Sequence, residues 1–375
     1  MLIGIDGNEA NQESRVGIGR YGLELISQFY KYLIPNIKFQ IYLKNKPEDH
    51  MPKEKDGWEY RIVGPNPFWT QIGLPLNLFL DKNRPDIFWT PTHYAPRFCP
   101  CPSVVSIMDT SYLHYPEMFR KRDLYQLRNW TSYSVNNAAK ILTISKASRT
   151  DIIRFYKVDP EKIEVTYPGI VMSKNVLADQ IFSKYGIKPN FILYVGTIQP
   201  RKNLVRLIEA YQILLSKQSK MDNQLVIVGK KGWLYEEIFK RVKELGLEGR
   251  VVFTGFVPDE ELSTFYSEAK LITLVSLYEG FGLPPLEAMS YKTPAVVSDV
   301  SSLPEIVGDA GILVNPEDSA SIALGIDKVL SMSESDYNKK GELAKAQAAK
   351  FNWEKTARET LEILNKVVGN KKNER

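Results

Sequence analysis

Short apolar segments alternate with amphipathic segments along the whole chain. Most apolar segments lack strict polar–apolar alternation and end at turn residues, which is typical of strands buried on both faces of a parallel sheet. They span residues 2–6, 39–43, 87–90, 104–108 and 141–145 in the first half, and 191–196, 225–229, 251–256, 271–275, 295–298 and 312–315 in the second. Between them, segments 21–33 and 204–215 place their large apolar residues on one helical stripe. This pattern predicts an α/β fold with a doubly wound sheet in each half.

The length of the chain predicts two domains. With 375 residues, it exceeds what a single hydrophobic core normally serves. We place the seam at residues 168–189, within which the segment 171–188 is poorly periodic. The predicted domains are therefore residues 1–170 and 171–353, and an amphipathic terminal helix follows at 354–369.

Charge and cysteine content exclude several classes of protein. The net charge of +5 is mild, and no basic stripe interleaved with aromatic residues indicates nucleic-acid binding. The charge is compatible with attraction to an anionic membrane surface or a phosphorylated acceptor. Cys99 and Cys101 favour free thiols in a reducing compartment over a disulfide or a zinc site. An apolar segment follows Met1 at once and no run of about 18 apolar residues occurs, so we expect a cytoplasmic protein, at most peripheral at the inner face of the membrane.

The most informative segment is 279–287, in which two carboxylates flank a glycine-rich turn and two prolines. Pro284 can open a helix, which would place Glu287 on its first turn and Glu279 in the preceding loop. A helix start with backbone N–H groups suits a phosphate, and ionised glutamates accept hydrogen bonds from sugar hydroxyls. Together these groups indicate a nucleotide sugar. Taken alone, the segment also fits a loop-to-helix junction with two solvated carboxylates.

A second candidate site is the segment 196–204, which directly follows an apolar strand and precedes a helix. Gly196 allows a sharp turn, and Arg201 and Lys202 then lie at a helix start, where cations oppose the helix dipole. Such a local violation tends to mark function. Arg201 can bind two phosphate oxygens with the paired N–H donors of its guanidinium, and Lys202 can bind phosphate as a point charge. The alternative is that the two residues are an exposed basic pair.

These segments resemble one enzyme family. Segment 279–287, with Ser276 before it and Ala288-Met289 after it, resembles the Glu-x7-Glu signature of retaining glycosyltransferases, most of all family 4 (glycosyl transferases group 1). Segment 196–204 resembles the Gly-x5-Arg-Lys-Asn segment of the same family. The resemblance implies the GT-B fold, in which two Rossmann-like domains face a central cleft and the terminal helix packs back on the first domain.

The resemblance also implies roles for individual residues. Glu279 would orient the transferred sugar, Glu287 would accept from the ribose hydroxyls, and Arg201 with Lys202 would stabilise the leaving diphosphate. The donor-binding residues it implies are Gly17, Gly19, Gly196, Arg201, Lys202, Val257, Phe281, Gly282, Leu283 and Glu287. Gly17 and Gly19 form a weak motif by themselves, since no third glycine completes a dinucleotide fingerprint; in the family this glycine-rich loop approaches the donor phosphates.

The end of the strand 104–108 departs from the family pattern. Family members usually have His-Asp there, whereas this chain has Met108 and Asp109. The resemblance makes Asp109 a catalytic candidate beside Glu279, and a capping carboxylate is the alternative. Methionine cannot act as a base or donate a strong hydrogen bond, so the departure puts the detail of sugar recognition in doubt.

The implied reaction transfers a hexose, with mannose favoured, from a nucleoside diphosphate sugar to a saccharide or lipid-linked saccharide during surface polysaccharide biosynthesis. The anomeric configuration would be retained. No Asp-x-Asp pair follows a strand, so we expect neither a metal ion nor another cofactor. Two alternatives remain: a nucleotide-sugar epimerase or phosphorylase on a similar frame, and a non-catalytic scaffold or binding subunit, which Met108 favours and the set of Glu279, Arg201, Lys202 and Glu287 opposes.

Overall fold

A computed structural model describes residues 1–13, 17–32, 35–65, 68–172, 177–217 and 221–373. The chain divides into two compact units. The first unit comprises Met1–Gly169 together with Asn352–Arg375, and the second comprises Ile170–Phe351.

The first unit is built on a parallel sheet. Its strands are β1 (Leu2–Asp6), β2 (Lys38–Leu43), β3 (Trp58–Ile62), β4 (Ile87–Thr90), β5 (Ser103–Ile107), β6 (Lys140–Thr143) and β7 (Ile163–Val165). Within the described residues, these seven strands lie in the order β3-β2-β1-β4-β5-β6-β7. The order reverses between β1 and β4, and a doubly wound sheet binds ligands at the carboxyl ends of strands at such a switch point.

Helices cover this sheet. They are α1 (Gly17–Lys31), α2 (Gly73–Leu80), α3 (Ser111–His114), α4 (Lys121–Asn137) and α5 (Lys146–Tyr156). Helix α1 begins four residues before the predicted segment 21–33, and Leu33 lies outside the described residues. Strand β3 is absent from the prediction because only Trp58 is buried in it, so this edge strand lacks an apolar run.

The second unit has the same architecture. Its strands are β8 (Ile192–Val195), β9 (Leu225–Val228), β10 (Val251–Gly255), β11 (Leu271–Leu274), β12 (Ala295–Ser298) and β13 (Ile312–Val314). In the described part of the unit they form one six-stranded parallel sheet in the order β10-β9-β8-β11-β12-β13. The switch point therefore lies between β8 and β11.

The helices of the second unit alternate with its strands. They are α6 (Ala178–Tyr185), α7 (Leu204–Lys217), α8 (Glu236–Glu244), α9 (Asp259–Glu268), α10 (Leu283–Ser290), α11 (Leu303–Val307), α12 (Ser319–Leu330) and α13 (Glu334–Ala348). Helix α6 lies inside the segment 171–188 that we interpreted as poorly periodic. Residues 178–185 nevertheless form a helix, and its periodic signal is weak because it buries only Ile181.

The terminal helix α14 (Trp353–Asn373) packs within the first unit against α1 and β4. The Tyr21 and Trp353 rings meet edge to face with centroids 5.8 Å apart, and the Thr356 hydroxyl donates to the Tyr167 carbonyl at 2.5 Å. A Cβ on Gly169 would lie 2.2 Å from the Trp353 nitrogen, so only glycine allows this approach. No helix in the described part of the chain is long and apolar enough to cross a membrane.

Candidate active site

The switch point of the second sheet brings two predicted segments together. Strands β8 and β11 pair in parallel, so the segments that follow them start at the same edge of the sheet. The Leu277 N–H donates to the Arg201 carbonyl at 3.0 Å. The Asn203 side-chain amide donates to the carbonyls of Val275 at 2.9 Å and Pro316 at 2.7 Å. These bonds fix the loop after β8 against the loop after β11.

Glu279, Arg201 and Lys202 form a buried ion triad at this edge. The Lys202 ammonium lies 2.5 Å from Glu279 Oε1, and the Arg201 guanidinium lies 3.4 Å from Glu279 Oε2. The guanidinium also donates to the Tyr278 carbonyl. The exposed fractions of the three side chains are 9% for Glu279, 11% for Arg201 and 13% for Lys202.

The triad carries a surplus of positive charge. Burial raises the pKa of the Glu279 carboxyl, but the nearby charges of Lys202 and Arg201 outweigh burial and hold this pKa below its usual range. With the carboxylate ionised, the three side chains together carry a formal charge of +1. Such a charge in a site with little water attracts an anion more strongly than the same charge in solvent.

Serine side chains hold the loop that carries Glu279. The Ser276 hydroxyl donates to Glu279 Oε1 at 2.6 Å, and the Glu279 N–H donates to Ser301 Oγ at 3.0 Å. The Ser302 hydroxyl donates to the carbonyls of Glu279 at 2.9 Å and Phe281 at 2.5 Å. The turn after β12 therefore positions the glutamate.

The glycine-rich turn ends at Gly282, which has a left-handed backbone conformation, and helix α10 follows directly. Gly282 has φ = +119°, and a Cβ there would lie 2.6 Å from Leu303 Cδ2, so this position requires glycine. Helix α10 begins at Leu283, so Glu287 lies just beyond its first turn, and our placement on the first turn is wrong. Pro284 and Pro285 have no N–H, so the backbone donors at this helix start come from residues 281–283.

Glu287 is buried against α9. The Tyr266 hydroxyl donates to Glu287 Oε2 at 2.7 Å. The sequence did not identify Tyr266, because nothing in a helix of mixed composition distinguishes this tyrosine from a core residue.

Two other predicted donor-binding residues lie at neighbouring strand ends. Gly196 follows β8, and a Cβ on Gly229, which follows β9, would lie 2.0 Å from the Gly196 oxygen. The two turns thus pack backbone to backbone. Val257 follows β10 and is buried. Next to it, the Lys230 ammonium lies 4.4 Å from the centre of the exposed Phe256 ring.

The remaining predicted residues lie in the first unit. Gly17 and Gly19 belong to the first turn of α1 rather than to a loop before it, which corrects our placement. Asp109 follows β5, and its Oδ1 accepts the Ser111 N–H at 2.6 Å, as a turn carboxylate does. The structure therefore gives Asp109 a local structural contact.

A histidine that no sequence motif marks lies beside Met108. His93 follows β4, and its Nε2 accepts the Met108 N–H at 3.0 Å. Burial lowers the pKa of the His93 ring to about 4, so the ring is neutral at pH 7 and the proton lies on Nδ1. The spatial proximity of these residues depends on the pairing of β4 with β5, which no local pattern shows.

Asp6 ends β1 at the same edge of the first sheet. Burial raises the pKa of its carboxyl to about 6, although the Asn8 N–H and side-chain amide both donate to its Oδ1 at 3.1 Å. The protonated Asp6 carboxyl therefore stabilises the folded state. This contribution is fully present below the ordinary pKa of 3.8 and is lost as the pH rises through about 6. His93 acts in the opposite sense: its contribution is present above 6.5 and lost as the pH falls through about 4.

No group of three or more histidine, cysteine, aspartate or glutamate side chains that could hold a metal ion occurs among the described residues. Cys99 and Cys101 form no disulfide, and their sulfur atoms lie 3.7 Å apart.

Solved structures share the architecture of both units. Sucrose-phosphate synthase from Thermosynechococcus elongatus aligns with a TM-score of 0.76 at 18% identity and covers 98% of this chain and 99% of its own. HepE from Anabaena, in complex with UDP and glucose, aligns with a TM-score of 0.74 at 20% identity and covers 97% of this chain and 99% of its own. At such identities the similarity shows the fold alone. The chain therefore has the GT-B fold of glycosyltransferases, as the sequence predicted.

Sequence comparison identifies the family. The profile of Glycosyltransferase Family 4 matches residues 45–174, and that of Glycosyl transferases group 1 matches residues 178–347. The chain is 34% identical to the O-antigen chain mannosyltransferase B of Escherichia coli over 270 residues. These residues are 69% of this chain and 69% of that protein. This protein belongs to glycosyltransferase family 4, the glycosyl transferases group 1.

Another relative is a longer protein. The serotype-specific mannosyltransferase WbdA of Escherichia coli is 30% identical over 278 residues, which are 72% of this chain and 33% of WbdA. The present chain thus matches about a third of that relative's length.

Proposed function

We propose that this glycosyltransferase moves a mannose-like hexose from a nucleoside diphosphate sugar to a hydroxyl of a saccharide or lipid-linked saccharide, with retention of the anomeric configuration and without a metal ion. The observation that carries the proposal is that the loops after β8 and β11 bring two buried cations, Arg201 and Lys202, together at the switch point of the second sheet. A diphosphate is the anion that this site fits best, because two cations and the start of α10 converge there.

In this proposal the diphosphate of the donor replaces Glu279 as the partner of the two cations. Arg201 and Lys202 bind the diphosphate, and the Glu279 carboxylate then accepts hydrogen bonds from hydroxyls of the sugar. Backbone N–H groups of residues 281–283 contact the sugar and phosphate, and Glu287 accepts from the ribose hydroxyls while Tyr266 fixes its orientation.

The chemistry of transfer needs no separate base in the protein. The bond between the anomeric carbon and the diphosphate oxygen breaks, and the acceptor oxygen bonds to the same carbon on the same face. The acceptor proton passes to the departing diphosphate oxygen. Arg201 and Lys202 stabilise the negative charge that develops on the leaving group, which is the electrostatic work that a divalent ion does in other transferases.

The sugar and the acceptor are proposed from the relatives. Mannosyltransferase B and WbdA carry mannosyltransferase in their names, and the former is named for the O-antigen chain. We therefore favour mannose as the transferred sugar and a growing surface saccharide, free or lipid-linked, as the acceptor.

The donor is tested by thermal shift with a panel of GDP-, UDP- and ADP-sugars. A ligand that binds only the folded protein raises the midpoint according to its affinity and concentration. We expect one nucleotide series to raise the midpoint of the wild type, and Lys202→Gln and Arg201→Gln to reduce that rise. Lys243→Gln, at an exposed position on α8, is the matched control and should respond like the wild type.

The reaction is tested with the donor identified in that panel. Proton NMR of the product reports whether the anomeric configuration is retained, and excess chelator should leave the rate unchanged. Epimerised sugar formed from the donor without acceptor would instead identify an epimerase. Donor binding without transfer to any saccharide or lipid-linked saccharide would favour a non-catalytic subunit.

A further inference from the structure

Helix α2 in the first unit is apolar on two sides. On the inner side, Leu74 and Leu78 belong to a buried cluster with Trp69 and Phe88. The other side is exposed, yet it carries no polar residue at positions 72, 76, 79 and 80, which are spaced as one face of a helix. Ile72, Leu76 and Phe79 are about half exposed, and Leu80 is 80% exposed. A helix on the surface of a protein normally presents polar side chains there.

Two further aromatic residues extend this surface. Phe68 is 65% exposed, and its carbonyl accepts the N–H of Ile72 at 2.8 Å. Phe98 is 74% exposed, and the neighbouring Arg97 donates from its backbone N–H to the Thr70 carbonyl and from Nε to Gln71 Oε1. We use the name apolar face for the six residues Phe68, Ile72, Leu76, Phe79, Leu80 and Phe98.

Cations border the apolar face. Arg84 donates from Nη2 to the Phe79 carbonyl at 3.4 Å, and Lys82 is exposed just after Leu80. Arg97 borders the other end of the helix through its bond to Gln71. Asp81 and the exposed Asp86 are the acidic residues of the same segment, so the border carries three cations and two carboxylates.

We propose that the apolar face docks this protein on the surface of an anionic phospholipid bilayer. All six side chains are hydrocarbon and offer no hydrogen-bonding group, whereas protein interfaces use aromatic hydroxyls, arginine and about one hydrogen bond per 100–200 Å². Binding to an anionic bilayer requires only that apolar side chains enter the interface and that cations lie at the level of the headgroups. The combination of an aliphatic and phenylalanine surface with a basic border therefore favours lipid over a protein partner. This inference does not depend on the proposed reaction.

The test is co-sedimentation of the full chain with vesicles of phosphatidylcholine, alone or mixed with phosphatidylglycerol. We expect the wild type to partition onto the anionic vesicles, and the variant Leu76→Gln/Phe79→Gln/Leu80→Gln to lose at least about tenfold in partition coefficient, because three apolar side chains no longer enter the interface. Lys82→Gln and Arg84→Gln should each weaken binding to anionic vesicles by about fivefold and leave binding to neutral vesicles unchanged.

A matched control uses isolated apolar side chains. Leu324 and Leu343 are 59% and 57% exposed on α12 and α13 of the second unit, and Leu324→Gln/Leu343→Gln should bind vesicles like the wild type. Equal binding of the triple variant and the wild type overturns the proposal. So does a wild type that ignores vesicles but forms dimers that the triple variant abolishes, since a second copy would then cover the face. Transfer to a water-soluble acceptor should be unchanged in the triple variant, which separates this test from that of the reaction.

Discussion

Replacing Glu279 by glutamine removes the carboxylate that two buried cations share, while keeping the size of the side chain. Lys202 and Arg201 are 13% and 11% exposed, so the loss leaves two charges in a site with little water. Breaking a buried ion pair by removing one partner costs about 3–5 kcal/mol. At roughly 2–4 °C per kcal/mol for a domain of this size, the melting midpoint of Glu279→Gln should fall by roughly 10 °C.

A matched control separates burial from the presence of an ion pair. Glu261 in the same unit accepts from Lys184 at 2.6 Å, but that lysine is 52% exposed. Water and salt screen such a pair, so Glu261→Gln should change the midpoint little. Equal midpoints for Glu279→Gln and Glu261→Gln would refute the view that the triad is held by buried charge.

The same variant connects stability to donor binding. If Lys202 and Arg201 bind a diphosphate, GDP or UDP supplies the negative charge that Glu279→Gln lacks. The nucleotide that stabilises the wild type should therefore raise the midpoint of the variant by more. An equal or smaller rise in the variant would show that the nucleotide does not contact these cations.

The pH dependence of Glu279 provides a further check on the same triad. Its folded pKa is depressed from 4.5, so its contribution is present above that value and is lost as the pH falls through the lower folded pKa. The stability difference between the wild type and Glu279→Gln should therefore shrink on acidification below about 4.5. Urea denaturation across that range measures it, and a constant difference would contradict the assignment.

Two further predictions concern stability. Between pH 6 and 4 the opposite pKa shifts of Asp6 and His93 have opposite effects on the stability of the wild type, and these effects cancel. On acidification through this window, the free energy of unfolding of Asp6→Asn should fall by about 3 kcal/mol relative to the wild type, and that of His93→Gln should rise by about 3 kcal/mol. Urea midpoints that run parallel to the wild type would contradict both shifts. Asn203→Ala should lower the free energy of unfolding by about 2–4 kcal/mol in urea denaturation, since it leaves two buried carbonyls without their donor and places alanine at φ = +59°. Asn203→Gly should recover only the part of this loss that comes from backbone strain, because glycine adopts that φ without strain.

The sequence predicted the strands of the second sheet well, because each is a short, mostly apolar run, and β8, β9, β11 and β12 are buried along nearly their whole length. It predicted β12 with its observed bounds, and the other strands of this sheet to within one residue at either end. It failed where burial is one-sided: β3 is an edge strand with a single fully buried residue, and α6 buries only Ile181. An element that contributes little to the core leaves little periodicity in the chain.

The candidate site was predictable only in part. Glu279, Arg201 and Glu287 carry charges at unusual places beside glycines and prolines, and that local signal is visible without a structure. Their partners are hydroxyl and amide side chains of ordinary type, such as Tyr266 and Ser301, at positions that no spacing distinguishes. The roles of all of these residues in catalysis remain predictions.

The sequence by itself determined the alternation of strands and helices, the presence of cations and carboxylates after particular strands, and the family. The tertiary structure decided which strand ends meet, and so that Glu279 shares an ion triad with Arg201 and Lys202, while His93 bonds to the backbone beside Met108. The physical reason is that periodicity is a local property of the chain. Strand order is fixed instead by crossovers between residues far apart in sequence, and a hydrogen bond forms wherever those crossovers bring a donor to an acceptor.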